Sequence, residues 1–161
     1  MSAKIRPMTR RDKPAIMRML AATPEFKPSE VVVAEEVVDS YLKDSYQSGY
    51  YILVAEVEKR VSGFICYGPT PLTEGTWDIY WVAVGRGEQR RGVGSALMTF
   101  AEDEIKKAGG RLVIIETSSQ PEYKRTRRFY HRHGFKLVSR IPDFYAPGDD
   151  KLMLLKRLTG K

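Results

Sequence analysis

An α/β fold, with a mixed central sheet of about seven strands flanked by about four helices, is what this sequence predicts. Three observations carry that expectation. Extended stretches rich in β-branched and aromatic residues occur at 50–57, 61–67, 76–84 and 111–117, as strands require. Helical spacing separates them, clearest at 93–108, where Val93, Leu97, Phe100, Ala101, Ile105 and Ala108 recur every three or four positions. The run RLVIIET at 111–117 is almost continuously apolar, the pattern of a strand covered on both faces. A chain of 161 residues is enough for one such unit with its own core, so 1–161 reads as a single domain.

Taken in order, residues 5–8 read as a first strand, and Asp12 with Pro14 opens a helix that turns Ile16, Met19 and Leu20 inward. Thr23-Pro24 ends it. Ser29 is suited to cap a second helix, in which Ala34, Val37, Val38, Tyr41 and Leu42 share a face despite their β-branched members. The segments 50–57 and 61–67, separated by Glu58-Lys59-Arg60, form a hairpin, with Gly63 marking an irregularity in its second strand. Pro69, Pro71 and Gly75 loosen the chain before the strand at 76–84. The next helix starts near Val93; Lys106 and Lys107 suit its last turn and Gly109-Gly110 its end. After the strand at 111–117, Thr126, Phe129, Tyr130 and His133 lie on one helical face, and Gly134 stops that helix before a strand at 135–138. Residues 145–150, with Pro147 and Gly148, read as an acidic loop ahead of a last strand at 151–155.

Composition narrows the function. Lysine and arginine number 27 against 20 acids, a net charge of +7 that attracts polyanions without choosing among them. Arg125, Arg127, Arg128 and Arg132 cluster on the final helix without interleaved aromatic residues of a binding module, so a solvated face is favoured over a nucleic-acid patch. No apolar run is long enough to span a bilayer, and Met1-Ser2-Ala3-Lys4 leads into Ile5 without a signal core, so a cytoplasmic protein with no membrane partner is expected. Cys66 is the only cysteine and lies in an apolar strand, which makes it a core thiol. With only two histidines beside it, no metal site is expected.

The chemistry is concentrated in Gln89-Arg90-Arg91-Gly92-Val93-Gly94, between a strand and a helix. Without Cβ atoms at Gly92 and Gly94, successive amide N–H groups can converge on an anion, joined by the unpaired N–H groups and positive end of the new helix. A P-loop would need a lysine and a hydroxyl residue directly after the last glycine, but Gly94 is followed by Ser95-Ala96. A dinucleotide fingerprint lacks its third glycine. The segment resembles instead the acyl-CoA pyrophosphate loop of the GCN5-related N-acetyltransferase (GNAT) family, [QR]-x-x-G-x-[GA], with Gln89, Gly92 and Gly94 in the defining places. A second motif, Phe129-Tyr130-His131-Arg132-His133-Gly134-Phe135, is similar to the family's F-Y-x-x-x-G-F, and the resemblance spans 76–138.

That resemblance implies a GNAT-type acyl-CoA N-acyltransferase fold in which strands 76–84 and 111–117 splay apart around the pantetheine arm of acetyl-CoA. It assigns strand-like pairing with that arm to Val82 and Val84, and the diphosphate to Gln89, Arg90, Arg91, Gly92, Val93, Gly94 and Ser95. The implied reaction is direct attack of a primary amine on the thioester within a ternary complex, without an acylated side chain. Tyr130 matches the tyrosine that protonates the departing sulfur. For the base, Glu116 resembles a glutamate of some peptide-N-terminus acetyltransferases, and Asp78 shares a strand face with Tyr80 and Val82 by alternation unless a bulge shifts the phase. Tyr123 stands where many members carry asparagine, which argues against close kinship with that peptide-acetylating branch. The acceptor is a small-molecule amine or a peptide or protein amine, met by the first two helices and the loops at 23–49, 68–75 and 142–150. Family members often pair, so a homodimer is among the expectations. The alternative is a non-catalytic acyl-CoA-binding sensor or interaction module.

Overall fold

Alternation between periods of two and of 3.6 residues resolves, in the computed structural model, into seven strands and five α-helices over the described residues, 3–88 and 92–158. In chain order they are β1 (Lys4–Pro7), α1 (Lys13–Ala22), α2 (Pro28–Lys43), α3 (Ser45–Ser48), β2 (Tyr51–Val57), β3 (Arg60–Pro69), β4 (Thr76–Val84), α4 (Val93–Lys107), β5 (Leu112–Ser118), α5 (Lys124–Arg132), β6 (Lys136–Ala146) and β7 (Asp149–Arg157). The sheet runs β1-β2-β3-β4-β5-β7-β6. Every neighbouring pair is antiparallel except β4 with β5, which is parallel.

Strand alternation sends side chains into two cores. On one face Leu97, Met98, Ala101 and Ile105 of α4 pack with Ile65, Ile79, Val113, Ile115 and Leu154 of the sheet, together with Tyr130 and Phe135. On the other, Ile16 and Leu20 of α1 and Ala34 and Val38 of α2 cover Ile52, Val54, Phe64, Cys66 and Ala83. Cys66 is buried, and burial pushes its thiol up, out of the reactive range. α4 can lie so close to the sheet because Gly63 has no side chain: a Cβ there would stand 2.9 Å from Val93 Cγ1 and 3.0 Å from the Ala83 carbonyl oxygen. The irregularity expected at Gly63 sits beside it, where the β2–β3 register shifts after Ala55 pairs with Gly63.

Three local expectations are corrected. Ser29 does not cap α2: the helix begins at Pro28, with extended Lys27 as the flanking residue and no side-chain cap, because proline's fixed φ and missing N–H suit the first helical position. The short α3 was not expected; the Asp44 carboxylate accepts from the Gln47 N–H to start it, and Gly49 at φ 76° ends it. Residues 145–150 are not a loop, since β6 runs to Ala146, β7 starts at Asp149, and only Pro147 and Gly148 make the turn. Pro142 and left-handed Asp143 break the alternation of β6 in sequence, and the β6–β7 register is interrupted there between Ile141 and Ala146.

At the start of the chain, Asp12 fixes α1 to β1. Its carboxylate accepts from Arg6 at 2.8 and 3.0 Å and from the Thr9 N–H at 2.7 Å while only 5% exposed. Burial pushes the Asp12 carboxyl up, but the hydrogen bonds from Arg6 and Thr9 together outweigh it and hold it below its usual value. A carboxyl depressed in the folded state adds stability that is present above its unfolded pKa and lost as pH falls through the folded one. The thermal midpoint should therefore decline on acidification below about pH 4, and Asp12→Asn should be less stable at neutral pH with a flatter acid limb. Parallel melting curves of the two proteins from neutral to acid pH check this; superimposable slopes would remove Asp12 from the acid response.

Candidate active site

The parallel pair at the middle of the sheet does not stay paired. β4 and β5 are in register only from Thr76 with Leu112 to Ile79 with Ile115. Beyond them Tyr80 is an extra residue in β4, since Cys66 of β3 pairs with Trp81 and Tyr67 with Ile79. A bulge bends its strand, and here it turns β4 away from β5, which continues to Ser118 against β7. The β5-facing edge of 80–84 is left without a strand partner among the described residues, and a V-shaped gap opens in the sheet.

The bulge also inverts the phase of β4. Before it Trp77 and Ile79 face the α4 core; after it Val82 and Val84 do, while Trp81 and Ala83 face α1 and α2. Asp78 consequently does not share a face with Val82, contrary to simple alternation. It accepts from Thr70 Oγ1 at 2.6 Å and from the Tyr80 hydroxyl at 3.4 Å, at the closed end of the gap. Glu116, on the β5 arm, lies by alternation on the face carrying α1 and α2 and forms an ion pair of 3.0 Å with Lys151, whose Nζ sits 4.4 Å from the Phe144 ring centre.

At the open end stands the start of α4. Gly92 precedes it at φ 77°, and a Cβ built there meets no atom of the described residues within 4 Å. The Ala96 N–H donates to the Gly92 carbonyl at 2.9 Å, whereas the N–H groups of Val93, Gly94 and Ser95 have no acceptor among the described residues, as at the start of a helix that can receive an anion. Gly94 is packed: its Cβ would lie 3.3 Å from the Phe129 ring. Ser95 Oγ and His133 Nε2 are 3.0 Å apart, tying α4 to the end of α5. The Val93 side chain is buried. Gln89, Arg90 and Arg91 lie outside the described residues.

Tyr130 approaches the gap from the α4–α5 side. Its ring packs edge-on against Phe129 and Phe135, with centroids 5.7 and 6.1 Å away. No described residue hydrogen-bonds its hydroxyl, and among the described residues no enclosed polar side-chain atom lacks a partner, so this hydroxyl keeps some contact with solvent although the residue is buried. Burial, with the charge of Glu30 added, pushes the phenol up and keeps it protonated through the neutral range.

Glu30, in the first turn of α2, went unremarked in the sequence. Its carboxylate accepts from the indole N–H of Trp81 at 3.2 Å and lies 3.4 Å from the Tyr123 hydroxyl, whose single proton is shared with the nearer Glu25 carbonyl at 2.9 Å. Trp81 belongs to the β4 arm and Tyr123 follows the β5 arm, so one carboxylate is held from both sides of the gap. Burial raises the Glu30 carboxyl, only partly offset by the Trp81 and Tyr123 bonds and the charge of Lys27. Tyr145 on β6 completes the surround: burial and the charges of Glu116, Asp149 and Glu30 push it up to about 12. Asp149 is itself buried and accepts from Ser118 Oγ at 2.5 Å, which makes it a structural anchor of the β5 end. A cavity of about 540 Å³ beside this cluster is lined by Arg18, Met19, Glu25, Val84, Arg86 and Arg125 among others. In the sequence, Glu30 looks like an ordinary acid at a helix start, favourable to the dipole, and only tertiary placement sets it apart.

Comparison with known proteins agrees with this geometry. The profile of the acetyltransferase (GNAT) family matches residues 15–135. A solved protein from Desulfovibrio desulfuricans assigned to that family superimposes with a TM-score of 0.94 at 37% identity, covering 98% of this chain and 100% of its own. An uncharacterized N-acetyltransferase of Methanocaldococcus jannaschii is 24% identical over 83% of this chain and 89% of its own length. A Salmonella typhimurium protein solved with acetyl-CoA shares the fold at 20% identity and TM-score 0.78, over 100% of this chain and 96% of its own.

Proposed function

The chain belongs to the acetyltransferase (GNAT) family of N-acetyltransferases, and from that premise we propose that it moves the acetyl group of acetyl-CoA to a primary amine by direct attack in a ternary complex. The observation that carries this reading is the split parallel pair with a helix start suited to an anion at one end; Tyr130, in the core under α4 with a hydroxyl that no described residue hydrogen-bonds, supports it. The fit is chemical as well as spatial. A diphosphate suits the N–H groups of residues 93–95 at the helix start together with Gln89, Arg90 and Arg91; an extended amide-bearing arm suits the edge at Val82 and Val84, which has no strand partner toward β5 among the described residues.

In this reading the β4 backbone near Val82 and Val84 aligns the arm and offers an N–H to the thioester oxygen as charge develops there. Tyr130, protonated at neutral pH, donates toward sulfur as the carbon–sulfur bond breaks. Asp78 and Glu116 are the carboxylates that the sequence puts forward as base. Each already has a partner: Asp78 accepts from Thr70 and Tyr80, and Glu116 pairs with Lys151. The solved Salmonella protein with acetyl-CoA in the same fold supports the choice of acyl donor.

The test is calorimetric titration with acetyl-CoA, followed by thiol release in the presence of primary amines. Saturable heat is expected, with a stabilisation on melting of about 3 kcal/mol when ligand stands at about 100 times its Kd. Absence of both heat and thermal shift would overturn the assignment; binding without thiol release from any amine would make the chain an acyl-CoA-binding module instead.

A further inference from the structure

We propose that Glu30 is the catalytic base of this protein: the residue that receives the acceptor's protonated amine in the gap between β4 and β5 and takes its proton. The inference rests on the transferase reading above and goes beyond it by naming a residue and an approach path. A carboxylate offers about four acceptor positions; on Glu30 the Trp81 indole occupies one at 3.2 Å, and the Tyr123 hydroxyl, shared with the Glu25 carbonyl, approaches a second at 3.4 Å. Trp81 stands on the β4 arm and Tyr123 in the segment that follows β5, so the carboxylate is placed between the two sides of the split and keeps its other positions for an ammonium. Aromatic faces of Trp81 and the nearby tyrosines suit such a cation as well. Neither alternative carboxylate is so free: Glu116 is neutralised by Lys151, and Asp78 sits at the closed end, engaged by Thr70 and Tyr80.

The arrangement separates the two proton transfers by the sheet itself. Glu30 comes from the α1–α2 layer, where Trp81 packs, and Tyr130 comes from the α4–α5 layer. An amine entering on the first side attacks the thioester carbon lying in the gap, and the sulfur departs toward the second. Glu30 removes one proton from the ammonium and later releases it to solvent; the carbon–nitrogen bond forms and the carbon–sulfur bond breaks; the nitrogen then loses its second proton to water while sulfur gains one from Tyr130, which is reprotonated by solvent. The sum is an ammonium and a thioester giving an amide, a thiol and one proton. The groups that set the Glu30 equilibrium are burial, which favours the neutral acid and hence basicity, against Trp81, Tyr123 and Lys27, which favour the anion.

The experiment measures thiol release from acetyl-CoA for wild type, Glu30→Gln and Glu30→Asp, with n-butylamine, an alanine-initiated tripeptide and a blocked lysine as acceptors, across neutral to alkaline pH. Acetyl-CoA titration calorimetry on each protein accompanies it. Glu30→Gln is expected to bind acetyl-CoA as wild type does and to turn over about 100-fold more slowly at neutral pH with n-butylamine and the blocked lysine. The difference should narrow as pH approaches the acceptor's own pKa, about 10 for those two and about 8 for the α-amine of the tripeptide. Glu30→Asp should recover part of the rate. A Glu30→Gln protein that binds acetyl-CoA and keeps its rate within threefold overturns the proposal, and so does a defect independent of pH, which would mark Glu30 as purely structural. Wild-type protein that binds acetyl-CoA yet releases no thiol with any of the three amines removes the transferase reading itself, a distinguishable failure.

Discussion

Turnover of Tyr130→Phe is expected to fall about a thousandfold, the middle of the range for loss of a positioned acid, while its affinity for acetyl-CoA stays within a factor of about two. The substitution removes one oxygen and keeps the ring that packs on Phe129 and Phe135. Because no described residue hydrogen-bonds the hydroxyl, its loss strands no protein group, and the melting temperature should hardly move. An interaction made only as charge develops on sulfur appears in kcat and leaves ground-state binding alone. Three readouts therefore separate the roles: a fall in kcat alone marks the acid, a matched loss of affinity marks a binding contact, and unchanged kinetics would discard Tyr130 from the chemistry. Sign and direction also constrain pH. Burial and Glu30 both raise this phenol, so its deprotonation cannot produce an alkaline decline in the neutral range.

Much of the molecule is legible in the sequence, and the parts that are not share a physical cause. β4 and α4 are read to within a residue because periodicity and end signals agree: aromatic and β-branched residues fill 76–84, while Gly92 before and Lys106-Lys107-Gly109 after bracket the helix. Likewise the inward residues of α1, Ile16, Met19 and Leu20, are the buried ones. β6 is misread as ending near Val138 because an edge strand with almost every residue exposed has no buried face to impose alternation. The phase of β4 is a second case. A bulge at Tyr80 leaves no mark in composition, yet it decides which of Asp78, Trp81 and Val82 share a side. Glu30 is the sharpest example, since its chemistry is made by Trp81 and Tyr123, residues 51 and 93 positions away. In the proposed reading, motifs locate the acyl carrier because its phosphates would meet contiguous backbone, whereas Glu30, Trp81 and Tyr123 are gathered from three separate segments.

Gly92→Val is expected to weaken acetyl-CoA binding about a thousandfold with only a modest loss of fold stability, and its interpretation depends on a matched control. Gly92 sits at φ 77°, where a β-branched residue is strained by about 1–3 kcal/mol. No described residue lies within 4 Å of the new Cβ; the added side chain projects into the space before α4, where it obstructs an anion's approach to the N–H groups of the helix start. Losing two charge-assisted bonds of about 2 kcal/mol each gives the stated factor. Gly109, after the other end of the same helix, has φ 84° and likewise no neighbour within 4 Å. Gly109→Val therefore imposes similar backbone strain far from the gap, and it should lower the melting temperature comparably while binding acetyl-CoA as wild type does. Calorimetry on the pair separates the two effects. If both variants bind equally well, the turn does not grip the diphosphate; if both bind equally poorly, strain in α4 accounts for the loss and the local role of Gly92 is gone.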